Sequence, residues 1–300
     1  MTVSVEAAPV VSVDPVLLAV PGRGAALRVR VSAPVAGAAL PIILFAHGFG
    51  SSGRAYGPLA DHWAAAGFAV LQPTFRDSRT LGPIPDDPLL WRYRVEDMLR
   101  ILDGLDSIAA AVPGLSGRLD PARIAAAGHS FGGQTAGVLL GLRVLDPATG
   151  AGADLADERV RAGVLLATAG RGGADLNPAA AAKFPWLNPD FTHLTKPAFV
   201  VAGDADASPL TTRGPGWLTD PYHLSPGASA LLTLRGAEHS LGGIPGYDAA
   251  ETTDPHPARV RAIQTLTTAF LRSALHPGDP EWDRARAAFA GSALGRLEIK

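Results

Sequence analysis

Gly128-His129-Ser130-Phe131-Gly132-Gly133 separates two apolar runs, Arg123-Ile124-Ala125-Ala126-Ala127 before it and Gln134-Thr135-Ala136-Gly137-Val138-Leu139-Leu140 after it. The first run reads as a buried strand and the second as a helix. A serine in G-x-S-x-G between strand and helix is the pattern of a nucleophile elbow, a turn so tight that the serine takes a strained backbone conformation. Gly128 and Gly132 fit it because side chains there would collide across the turn. The Ser130 hydroxyl is thereby lifted clear of the sheet, above a helix N-terminus.

Short branched or alanine-rich apolar segments recur around this centre. Strands are expected at 11–20, 26–31, 41–46, 68–72, 160–167, 198–202 and 230–234, with helices at 56–66, 89–108, 257–275 and 282–289. In the helix at 89–108, Val95, Met98, Leu99, Leu102 and Leu105 share a face, while Glu96, Asp97, Arg100 and Asp103 point elsewhere. Strands alternating with helices predict one α/β domain over 1–300, its mostly parallel sheet of about eight strands covered on both faces. Pro/Gly-rich stretches at 76–88, 171–189 and 208–226 are the expected binding loops, and 171–196 reads as a short lid.

Composition narrows the function. Of 300 residues, 47% are hydrophobic, enough for a large core, and the net charge of −2 with a pI near 6.4 argues against nucleic acid or an anionic membrane as partner. There is no cysteine, hence no disulfide, thiolate metal site or cysteine nucleophile. No HExxH or paired-histidine spacing suggests a metal, and the glycines lack dinucleotide-loop spacing, so no cofactor is expected. No signal peptide is visible and no apolar run approaches the roughly 18 residues of a membrane span, which predicts a soluble cytoplasmic protein.

A serine hydroxyl needs a base, and the base needs a carboxylate. Behind an elbow the chain order is Ser, acid, His. The strand at 198–202 runs into Gly203-Asp204-Ala205-Asp206, and that at 230–234 into Arg235-Gly236-Ala237-Glu238-His239. His239 is the expected base. Asp206 is preferred to Asp204 as the acid, because a carboxylate three residues beyond the glycine can turn back, whereas one beside it tends to shape the turn. Glu238 reads as a solvated or loop-bracing charge. Backbone N–H groups of Phe131 and of Phe49, with Gly50 as the other choice, are expected to hold an oxyanion. His47 and His129 read as structural. Trp217, Tyr222 and Trp186, with Phe184, are candidates for the substrate pocket or for core packing.

His47-Gly48-Phe49-Gly50, Gly128 to Gly133, Gly203 to Asp206 and Gly236 to His239 stand in the order of the α/β-hydrolase superfamily, which the chain resembles over nearly its whole length. Trp91-Arg92-Tyr93-Arg94 with Asp97, Leu119-Asp120, and the elbow followed by Thr135 are similar to a bacterial group called dienelactone-hydrolase-like. That group overlaps with chlorophyllase-like, platelet-activating-factor-acetylhydrolase-like and polyester-hydrolase sequences. The chain departs from true dienelactone hydrolases in lacking their cysteine nucleophile, and from chlorophyllases in having Phe131 where they carry arginine. The resemblance implies a serine carboxylic-ester hydrolase working through an acyl-enzyme, and the short lid predicts an open site that favours a short-chain or accessible polymeric ester. Thioester hydrolysis or acyl transfer on the same residues, or a ligand-binding receptor on this scaffold, are the alternatives.

Overall fold

In the computed structural model, which describes residues 8–246, 249–250 and 252–300, the strand before the elbow lies at the middle of a nine-stranded sheet. The chain enters through β1 (Val10–Leu18), β2 (Leu27–Pro34) and β3 (Leu40–Ala46) and crosses by α1 (Gly57–Ala65) to β4 (Ala69–Thr74). It continues through α2 (Leu90–Asp103) and α3 (Leu105–Ala110) to β5 (Leu119–His129), then α4 (Phe131–Leu139) and the short β6 (Arg143–Val144). There follow β7 (Val160–Leu166), α5 (Pro178–Lys183), β8 (Pro189–Asp190), β9 (Ala198–Gly203) and α6 (Asp220–Leu224). Last come β10 (Ala228–Leu234), α7 (Pro257–Leu275), α8 (Glu281–Phe289) and β11 (Gly295–Ile299).

The sheet order is β1-β2-β4-β3-β5-β7-β9-β10-β11. The six strands from β4 to β10 are parallel. The edge strands β1, β2 and β11 join antiparallel. This is the expected α/β, hydrolase-like arrangement with one strand more. β11 escaped the sequence reading because its five residues, Gly-Arg-Leu-Glu-Ile, form a charged edge whose pairing, Leu232 with Leu297, is visible only in three dimensions.

Period-two alternation sorts each central strand between two cores. Ile42, Leu44 and Ala46 of β3 meet the face covered by Val95, Met98 and Ile101 of α2 and by α4. Ile43 and Phe45 meet the opposite face, with Leu59 and Trp63 of α1 and Val260, Ile263 and Phe270 of α7. Trp63 Nε1–H donates to Thr267 Oγ1 at 3.1 Å, tying α1 to α7.

The expected helix over 89–108 breaks at Gly104 into α2 and α3. A Cβ at Gly104 would meet Leu18 Cδ1 at 2.8 Å, so the glycine lets β1 approach. Asp97, placed off the apolar face of that helix, is nonetheless not at the surface. It is fully buried, and the Arg23 Nε and Nη2 groups donate to it at 3.0 and 3.1 Å. The segment at 171–196 carries α5, capped by Asn177 Oδ1 on the Ala180 N–H (2.8 Å), and is anchored where β8 pairs with β6. Among the described residues no helix is long and apolar enough to cross a membrane.

Candidate active site

Every parallel strand of the sheet's middle ends on one edge, and the sequence-predicted groups emerge there. Ser130 follows β5 with φ 57° and ψ −121°, a region costly for any residue but glycine. The turn is held by the Ser130 N–H on the Leu166 carbonyl (2.8 Å) and by the Gly133 N–H on the Ser130 carbonyl (2.9 Å). A Cβ at Gly128 would overlap the Gly132 carbonyl, and one at Gly132 would overlap that of Ala46. Both glycines are there for space.

The loops after β9 and β10 deliver the other two groups. His239 Nδ1–H donates to Asp206 Oδ2 at 2.7 Å, and Ser130 Oγ–H donates to His239 Nε2 at 2.9 Å. Asp206 is buried, while the His239 side chain is 47% exposed, so the chain runs from the interior to the solvent edge. Asp204 turns away and accepts the Gly236 N–H at 2.6 Å, shaping the turn before His239. The base loop is fixed from outside: Asp254 Oδ2 accepts the Glu238 N–H and Arg259 Nη1–H, both at 3.0 Å, and the Glu238 carboxylate accepts from Thr253 Oγ1.

Phe131 opens α4 directly after Ser130, and Phe49 lies in the loop after β3. Among the described residues the N–H groups of Phe49 and Phe131 carry no hydrogen bond, whereas the Gly50 N–H is committed to Asp77 Oδ2 at 3.1 Å. Phe49 rather than Gly50 is therefore the available donor. Arg94, unremarked in the sequence beyond the family resemblance, holds this loop. Its Nε and Nη2 groups grip both Asp77 oxygens (2.9 and 2.7 Å) and its Nη1 reaches the His47 carbonyl (2.7 Å). Its guanidinium lies 4.2 Å from the Phe131 ring centroid. Burial alone would raise the Asp77 carboxyl, but the charge and hydrogen bonds of Arg94 hold it below the usual carboxylate range. The available signal was a charge at 94 on a stripe shared with Leu90 and Met98.

Two histidines complete the frame as neutral rings. His47 Nδ1–H donates to the Gly48 carbonyl (2.7 Å) and Nε2 accepts the Phe75 N–H (3.1 Å). His129 Nδ1 accepts the Tyr56 hydroxyl (2.9 Å), and Nε2–H donates to the His239 carbonyl (2.8 Å). Burial first, then Arg94 for His47 and His239 for His129, lowers each pKa to about 3. Both bear structure, as read from the sequence, and His129 does so as a strut between elbow and base loop.

Ser130 and His239 open on an apolar cavity of about 360 Å³. Phe49, Phe184, Trp186, Leu187, Trp217 and Leu218 wall it. Trp186 stacks on Phe131 with centroids 4.2 Å apart, so the segment at 171–196 forms a packed wall. Trp217, its Nε1–H on the Arg171 carbonyl (2.8 Å), does both things its sequence position allowed, packing in the core and lining the cavity. Tyr222 does not line it. It sits on α6 facing the C-terminal residues, with Lys300 Nζ 4.6 Å from its ring centroid.

The arrangement can move a proton from Ser130 to His239 while Asp206 fixes the imidazole tautomer, beside two free amide donors and an apolar cavity. Among the described residues no three metal-ligating side chains converge. No protein-family model matches the chain, and a search of curated proteins returns no match.

Proposed function

We propose that this protein is a serine carboxylic-ester hydrolase of the α/β-hydrolase type. The observation that carries the reading is the Asp206–His239–Ser130 hydrogen-bond chain, 2.7 and 2.9 Å long, ending on a strained serine at an apolar cavity. Ser130 Oγ attacks the ester carbonyl as His239 takes its proton. Asp206 orients the imidazole and stabilises its cation, and the Phe49 and Phe131 N–H groups hold the oxyanion. His239 then protonates the leaving alcohol, and water, activated by the same ring, releases the acid. The solvent exposure of His239 supports water as the acceptor over a second alcohol or amine.

The cavity is at the small end of ligand sites, which run from about 300 to 1,000 Å³, and its walls are aromatic and aliphatic. Both points favour a short or compact acyl group. The test is turnover of p-nitrophenyl esters from acetate to palmitate, with Ser130→Ala alongside. Short chains should turn over, and the variant should lose on the order of 10⁴–10⁶ in rate. Activity retained in Ser130→Ala would exclude the mechanism.

A further inference from the structure

The apolar cavity at Ser130 is not the only hollow lined by Phe49. Phe49, Phe184 and Trp186 also wall a second hollow of about 550 Å³ on their other side. The three rings form a ridge: Phe49 to Phe184 is 5.7 Å between centroids and Phe184 to Trp186 is 5.4 Å. Phe49, whose N–H is the proposed oxyanion donor, thus lines both hollows. The two sides differ in kind. The Ser130 side is mainly apolar, whereas the far side carries Arg79, Lys183, Asp86 and Asp87 on a base of Ile84 and Leu90.

The signs are not evenly placed. Arg79, in the segment after β4, packs against the loop after β3: its N–H donates to the Gly50 carbonyl (3.1 Å), and a Cβ at Gly50 would meet its guanidinium at 2.5 Å. Lys183 Nζ stands 5.3 Å from the Phe184 ring centroid. Both cations therefore flank the ridge. The acids equal the cations in number: Asp87 accepts the Leu89 N–H (2.8 Å) at the start of α2, and Asp86 is exposed. A guanidinium with free donors suits a planar carboxylate, which it can hold by two parallel hydrogen bonds.

Resting on the ester-hydrolase reading, we infer that the far hollow is a second subsite and that the half of the ester entering it carries a carboxylate. The substrate is then an ester with a compact apolar half and an anionic half, and hydrolysis releases a product acidic at its remote end. The oxyanion donors are backbone groups, so Arg79 and Lys183 act on recognition and leave the bond-breaking step to Ser130 and His239.

The experiment compares aryl butanoates whose ring bears a carboxymethyl, a carbamoylmethyl or an aminomethyl group, and monoaryl glutarate with its terminal amide, so that the charge sits on the alcohol or on the acyl half. Against the amides, one carboxylate probe should gain about three- to tenfold in kcat/KM at low salt, as expected for exposed charge pairs. The gain should vanish at high salt and in Arg79→Gln/Lys183→Gln. That variant should keep the wild-type urea midpoint, which shows it folded. Equal rates for carboxylate and amide on both halves, or preference for the aminomethyl probe, would overturn the inference. Failure of the wild type on p-nitrophenyl butanoate as well would instead remove the hydrolase reading beneath it.

Discussion

The Tyr56 hydroxyl and His129 Nδ1, 2.9 Å apart, join the loop after β3 to the loop after β10. The same hydroxyl accepts the Gly48 N–H at 3.1 Å, and the other nitrogen of His129 donates to the His239 carbonyl at 2.8 Å. Three segments from different strand ends are thus aligned through one phenol and one imidazole. Tyr56→Phe keeps the ring and removes the relay. Its kcat on a short ester should fall about tenfold with KM little changed, since misplacement acts on the reacting geometry. Stability should drop about 1 kcal/mol in urea titrations. An unchanged kcat would reduce the relay to packing.

Asp206 and Asp204 offer a clean comparison. Asp206→Asn should lower kcat by about 10⁴, because the amide favours the wrong histidine tautomer. Asp204→Asn retains an acceptor for the Gly236 N–H and should stay within about tenfold of wild type. Steady-state rates with one nitrophenyl ester decide it, and the reverse ranking would transfer the acid's role to Asp204.

Arg94 is buried with its partner. Arg94→Met leaves Asp77 charged and alone in the interior and should cost about 3–5 kcal/mol in chemical denaturation. Adding Asp77→Asn, whose carbonyl can still accept the Gly50 N–H, should recover part of that loss. A double variant no more stable than Arg94→Met would show that the guanidinium acts through its ring and carbonyl contacts instead.

Acid should destabilise the fold through His47 and His129. Each is neutral when folded, with a pKa lowered from 6.5 to about 3, so below pH 6.5 the unfolded chain binds more protons. Stability present above pH 6.5 is therefore lost as pH falls toward 3. For the two groups together the loss from pH 6.5 to 5 is about 3 kcal/mol. Urea midpoints across that range measure it; half the loss would mean that one ring accepts a proton in place, and a flat profile that both do.

Much of this was readable along the chain because it is local. The elbow needs six consecutive residues, and α7 was bounded at Pro257–Leu275 by its own periodicity. Asp206 and His239 could be named because parallel strands deliver their following loops to one edge. What escaped depends on partners distant in sequence: Arg94 with Asp77, Arg23 with Asp97, and β11 with β10. Tyr56 read only as a helix start, since nothing nearby indicates that its hydroxyl spans 73 positions to His129. Tyr222 failed as a pocket residue for a related reason: its helix turns it toward Lys300.

The split of β3 between two cores also sets a ruler for the chemistry. Removing one residue from that strand would send Ile43 and Phe45 to the side shaped for Ile42 and Leu44. It would also rotate the departing chain by half a turn of the pleat, so the Phe49 amide would leave the strand facing the opposite layer. Spacing at this edge therefore comes in steps of whole residues. A lineage of such chains can lengthen its surface loops freely, but through β3 it can change side chains and never their number.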